Sequence, residues 1–95
     1  MSIRTLTEEV LSMIKVKMFG VIRLGSGVKE FETDTAHVKT VNDCFDILNI
    51  QSAPNADKFT FDDSQVFVNH TRTTKRDFAV KDGDEVWLMS PAAGG

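Results

Sequence analysis

Lys81-Asp82-Gly83-Asp84-Glu85-Val86-Trp87-Leu88-Met89-Ser90-Pro91-Ala92-Ala93-Gly94-Gly95 is the stretch that decides the fold. It opens with a polar turn, Lys81 to Asp84, in which Gly83 supplies the flexible position. Glu85 to Met89 then alternates, so Val86 and Leu88 share the inward face of a strand while Trp87 and Met89 share the outward one. Beyond the strand runs a tail without large side chains, Pro91-Ala92-Ala93-Gly94-Gly95. Glycine lets the backbone approach another surface closely, so this ribbon can enter a narrow site on a partner with the Gly95 carboxylate leading. The competing reading is a frayed terminus that merely ends in glycines.

Working upstream, Val66-Phe67-Val68-Asn69 reads as another strand entering a turn, with Val66 and Val68 inward and Phe67 outward. Gln51 to Gln65 is polar, carries Pro54 and Asn55, and predicts a long surface connection pinned to the core by Phe59 and Phe61. Thr40 precedes Val41, Cys44, Phe45 and Leu48 at helical spacing, with Asp43 placed to complement the free amides, which predicts a helix over 41–49. Ile14-Lys15-Val16-Lys17-Met18 alternates apolar and charged residues as a half-buried strand does. Phe19 to Gly27 reads as a turn-rich connection closing on Gly25-Ser26-Gly27, and Val28 to Glu32 runs back as the second strand of a hairpin. The predicted order is strand, strand, helix, strand, strand: an α+β domain with the helix laid across one face of a small mixed sheet.

Composition narrows the function. Ninety-five residues, 41% hydrophobic with seven Phe and one Trp, suit one small domain. A net charge of -3, with eleven basic residues scattered along the chain, argues against nucleic-acid binding, which needs a clustered basic face. Cys44 is alone and lies on the helix's apolar face, so it predicts a buried structural thiol, neither a disulfide nor a cysteine metal site, and a reducing compartment. Residues 1–12 carry Arg4, Glu8 and Glu9, which break any signal-peptide or membrane-spanning run, so no membrane association and a cytoplasmic protein are expected. Within them Thr5 and Glu8 have capping-box spacing and Leu6 and Val10 share one helical face, marking a short appended helix or a disordered extension. His37 and His70 lack partners at metal-ligand spacing, so no metal is expected. Asp82-Gly83-Asp84 lacks the later glutamate of a calcium loop, and Asn69-His70-Thr71 is an incidental acceptor pattern without a secretory signal.

Four pieces, in this order and at these spacings, resemble one family: Met13-Ile14-Lys15-Val16, Val66-Phe67-Val68-Asn69, Lys81-Asp82-Gly83-Asp84-Glu85-Val86 and Pro91-Ala92-Ala93-Gly94-Gly95. Together they resemble the ubiquitin-like β-grasp sulfur carriers of the MoaD/ThiS type, and within them the small subunit of molybdopterin synthase (MoaD) more than the thiamine carrier ThiS. The resemblance runs from Met13 to Gly95 and implies a β-grasp body over 13–90, a mixed four- to five-stranded sheet with one main helix, and a flexible tail over 91–95. Two departures stand out. His70 occupies the turn position where the family usually has glycine, requiring a left-handed histidine or a different loop. Residues 1–12 precede the family's usual start, so they are an added element or Met13 is the cellular start.

The resemblance also implies a chemistry. A ubiquitin-activating-type adenylyltransferase, using ATP and magnesium that the carrier itself does not bind, converts the Gly95 carboxylate to an acyl-adenylate. Sulfur from a donor enzyme then gives a thiocarboxylate, and the large subunit of molybdopterin synthase consumes it. Gly95 and Gly94 are then the reactive site, with Phe67, Trp87, Met89, Pro91, Ala92 and Ala93 meeting partners. The body is a non-catalytic carrier, expected to be a monomer when free. Trp87 is the expected energetic centre of that contact; alternatively the 51–65 connection or the leader covers it. The rival functions are a lysine-conjugated protein modifier, a thiamine-pathway carrier, and a passive binding module with an incidental tail.

Overall fold

The structure is a computed structural model that describes residues 13–54, 56 and 58–90. The predicted extension at 1–12 and the tail at 91–95 lie outside the described residues. Five strands form one sheet: β1 (Ile14–Phe19), β2 (Glu30–Thr33), β3 (Gln65–Val68), β4 (Thr71–Thr73) and β5 (Glu85–Met89), in the order β2-β1-β5-β3-β4. β1 and β5 run parallel at the centre and every other pairing is antiparallel. A helix α2 (Val41–Gln51) crosses one face, giving the mixed-sheet β-grasp arrangement expected from the sequence.

The alternation of β1, β3 and β5 sets the layers. Ile14, Val16 and Met18, Val66 and Val68, and Val86 and Leu88 are buried, and meet Val41, Cys44, Phe45 and Leu48 of α2. α2 begins as predicted at Thr40. The Asp43 carboxylate accepts the amides of Thr40 (3.1 Å) and Lys39 (2.8 Å), and the amides of Val41 and Asn42 donate to the carbonyls of Phe78 and Arg76. The latter two satisfy helix-end donors that would otherwise cost stability and tie the 74–80 connection to the helix, while the Asp43 bonds fix the chain as it enters the first turn. α2 extends to Gln51, two residues past the predicted end, where the Ser52 amide and hydroxyl both bond to the Leu48 carbonyl.

Phe59 and Phe61 pin the 51–65 connection as expected. Both pack against the core, Phe61 edge-on to Phe45 at 6.4 Å, and the Asn49 side chain bonds both backbone polar groups of Phe59. A single 3₁₀ turn, Phe61–Asp63, leads into β3.

Two expectations are corrected, and one strand is added. The 19–27 segment is not a hairpin turn but a second helix, α1 (Gly20–Ser26), with Ile22 and Ser26 buried one turn apart and Gly27 ending it in the left-handed region at φ 76°. Two glycines in so short a helix hide its period, and burial of Ile22 in the core outweighs their poor propensity. β1 and β2 pair antiparallel, yet β2 is Glu30–Thr33, not 28–32, because Val28 is drawn to Ser26, whose hydroxyl accepts its amide at 3.0 Å. β4 was unassigned from sequence: three polar residues on a sheet edge carry no apolar alternation. Among the described residues no helix is long and apolar enough to cross a membrane.

Candidate functional site

Two of the motifs singled out in sequence meet in space. Asn69 donates from its side-chain amide to Asp84 Oδ1 (2.9 Å), accepts the Glu85 amide on its side-chain oxygen (2.9 Å), and donates its own amide to the Glu85 carbonyl (2.8 Å). Asp84 Oδ2 accepts the Lys81 amide, and the Gly83 amide reaches the Met13 carbonyl. The 69–70 turn, the 81–84 turn and the start of β1 are thereby locked at one end of the sheet. The local turn at His70 is resolved in favour of a left-handed histidine: Asn69 and His70 have φ of 52° and 74°.

β3 and β5 present their outward residues from this frame. Phe67 pairs with Trp87 and Gln65 with Met89 across the antiparallel register, while Phe19 of β1 pairs with Met89 and Lys17 with Trp87 across the parallel one. Phe67, Trp87 and Met89 therefore share the sheet face opposite α2, and all three are half-buried. Trp87 sits among Phe19 (centroids 5.5 Å apart, edge-on), Phe67 (6.3 Å) and His70 (4.7 Å). These neighbours come from strands and the β3–β4 turn, and the 51–65 connection spends its aromatics on the opposite, core side. The result is an apolar patch of aromatic rings with an indole at its middle.

A polar strand of contacts runs beside the rings. Trp87 Nε1 donates to Glu85 Oε2 at 2.5 Å, and Lys17 Nζ stands 3.6 Å from the same oxygen. The indole hydrogen bond, more than the lysine, holds the Glu85 carboxyl below its ordinary range. Because this group binds its proton less tightly folded than unfolded, its contribution is fully present above the ordinary glutamate pKa. It is lost as pH falls through the lower folded value. Glu85→Gln should accordingly lower the melting temperature slightly at neutral pH, where that contribution is present, and converge on wild type at the acid end, so that the acid limb of a plot of melting temperature against pH is flatter.

The patch adjoins the root of the tail. Met89 is the last strand residue and Ser90 the last described one, and Ser90 Oγ would stand 3.4 Å from a Cβ built on Gly20, whose φ is +61°. A side chain at 20 would be strained and would crowd the chain where it leaves the sheet. Pro91, Ala92, Ala93, Gly94 and Gly95, the predicted reactive end, lie outside the described residues.

The remaining candidates have structural places. Cys44 is fully buried on α2, and burial pushes its thiol up to about 12, so it is an un-ionised core group. His37 Nδ1 lies 2.7 Å from Asp34 Oδ1, a contact that holds the Asp34 carboxyl below its usual range. Among the described residues no group of three His, Cys, Asp or Glu side chains is placed to hold a metal. Sequence reasoning missed Phe19 and His70 as members of the aromatic cluster. Phe19 was within reach, being the next outward position after Lys15 and Lys17; His70 required the cross-strand register.

A family model described as the ThiS family matches residues 16–95. Among solved structures, a Pyrococcus furiosus protein assigned as subunit 1 of a molybdopterin converting factor is 26% identical, with 83% of this chain and 97% of that one covered at a TM-score of 0.62. Small archaeal modifier protein 1 of Haloferax volcanii is 20% identical, with 84% and 98% covered and a TM-score of 0.62. A complex of subunits 1 and 2 of the molybdopterin-converting factor of Helicobacter pylori contains a chain 20% identical, with 87% and 99% covered and a TM-score of 0.59. At these identities the latter two likenesses speak to the fold. No curated protein sequence matches the chain.

Proposed function

The chain belongs to the ThiS family of ubiquitin-like proteins, and from that premise we propose that it is a sulfur carrier whose Gly95 carboxylate is the group that is activated, loaded and discharged. The observation that carries this reading is that the family match runs through Gly94 and Gly95 themselves. The body supports it by elimination. A protein can carry sulfur on a cysteine or on a terminal thiocarboxylate, and the single cysteine is sealed in the core with its thiol held un-ionised.

A free carboxylate resists nucleophiles because its charge is delocalised over two oxygens. An adenylyltransferase of the ubiquitin-activating type transfers AMP from ATP, with magnesium, to Gly95 and releases pyrophosphate. Sulfide-level sulfur delivered by a donor enzyme then displaces AMP to leave a thiocarboxylate. The large subunit of molybdopterin synthase takes up the tail, the sulfur bonds to a pterin precursor for the molybdenum or tungsten cofactor, water hydrolyses the acyl–sulfur bond to leave the sulfur on the precursor, and the carboxylate returns for another round in the cytoplasm. The Pyrococcus furiosus relative favours this pathway over thiamine synthesis, and the Helicobacter pylori complex is the precedent for a large-subunit partner.

Phe67, Trp87 and Met89 form the docking patch beside the tail, with Pro91, Ala92 and Ala93 spanning to the partner's active site. Trp87→Ala should weaken binding of the large subunit by about 2 kcal/mol, roughly thirtyfold in Kd by titration calorimetry, with the circular dichroism of the fold retained. An unchanged Kd would remove the open face from the interface.

A second reading, a modifier conjugated to lysines through the same tail, is favoured by the likeness to small archaeal modifier protein 1. Mass spectrometry of lysates separates the two. A pool of carrier with the mass of a sulfur-for-oxygen exchange supports the first, and Gly-Gly remnants on foreign lysines support the second; a pool with neither excludes both.

A further inference from the structure

His70 is out of place by the rules of its own turn. With φ positive at both Asn69 and His70, the two-residue loop between β3 and β4 is of the kind that favours Asn-Gly, and a left-handed histidine costs about 1 kcal/mol relative to glycine. The imidazole placed there does something glycine cannot: its ring lies 4.7 Å from the centre of Trp87, tilted by 58°, nearer than either phenylalanine. The turn beneath it is fastened by the Asn69 bonds to Asp84 and Glu85, which fixes the point from which the imidazole projects. On its remaining side Trp87 is tethered by Nε1 to Glu85.

From these contacts we propose that His70 is a positioning residue for Trp87, clamping the indole against Glu85 so that the patch meets its partner in one pose. The partners of the clamp are themselves fixed: Lys17 of β1 stands 3.6 Å from the Glu85 carboxylate, and Asp84 is engaged with Asn69 and Lys81. The inference about the pose stands on the contacts alone; its consequence for docking rests on the carrier reading above.

The chain has a single tryptophan and no tyrosine, so its fluorescence reports on this contact. In the full-length protein, the anisotropy of Trp87 emission and its protection from acrylamide quenching should both fall in His70→Gly with no loss of thermal stability, since the turn prefers glycine, whereas His37→Asn should leave both at wild-type values. The same His70→Gly protein should bind the molybdopterin synthase large subunit about two- to fivefold more weakly. Unchanged anisotropy and quenching in His70→Gly, or equal affinities for the two proteins, overturn the proposal. Loss of anisotropy and protection in His70→Gly with no large-subunit binding by wild type upholds the clamp and overturns the docking reading instead.

Discussion

Deleting Gly95 should abolish sulfur loading and leave the folded body untouched. Among the described residues the core is complete at Leu88 and the sheet at Met89, ahead of the reactive end. Loss of Gly95 puts a carboxylate on Gly94, about 3.5 Å short of where the activating enzyme expects one. Misplacement of a reacting group by even an ångström can cost about a hundredfold in rate, so a shift of a whole residue should bring adenylation below detection. Adding one residue after Gly95 should do the same by displacing the carboxylate forward. In both variants the melting curve should superimpose on wild type. Efficient loading of the shortened protein on Gly94 would mean that the partner reads the tail loosely, and the site as proposed would be wrong.

The converse effect is expected at Leu88, where Leu88→Ala should remove a large share of the stability without touching the chemistry. Leu88 is fully buried on central strand β5, opposite Met18 of β1 and Val66 of β3. Truncating a buried leucine costs about 2 to 5 kcal/mol in lost burial and residual cavity. A domain this small has a total of only about 5 to 10 kcal/mol. A loss of about 3 kcal/mol should lower the melting temperature by about 12 to 24 °C. Met89→Ala, next in sequence but on the open face, should cost less than about 1 kcal/mol while weakening the partner contact. Equal losses at 88 and 89 would contradict the assignment of the two faces.

Much of this was readable from the order of residues. Val86 and Leu88 against Trp87 and Met89 declare the faces of β5, and Thr40 with Asp43 declares the start of α2, because alternation and capping are local and leave their marks within a few residues. α1 and β4 were invisible for the opposite reason. Gly20-Val21-Ile22-Arg23-Leu24-Gly25-Ser26 is too short and too rich in glycine to show a period, and is made helical by Ile22 reaching the core. Thr71-Arg72-Thr73 is a strand only because β3 offers it an edge. The meeting of Asn69 with Asp84, and of His70 with Trp87, joins residues about fifteen positions apart, a relation that exists only once β3 and β5 are in register. The reactive end was legible as a composition, glycines after a strand. The destination of its sulfur was not, since an activated terminal glycine serves several acceptors through the same chemistry.

The claim on which the account turns is that sulfur is borne by the terminal carboxylate of Gly95. The most direct measurement is tandem mass spectrometry of the protein after incubation with an activating enzyme of the ubiquitin type, ATP, magnesium and a sulfur donor. The account predicts a single sulfur-for-oxygen exchange confined to the fragment ending in Gly95, dependent on ATP and absent from Cys44. Sulfur found on Cys44, or a C-terminal fragment that keeps its unexchanged mass under conditions that load a known carrier, would contradict it.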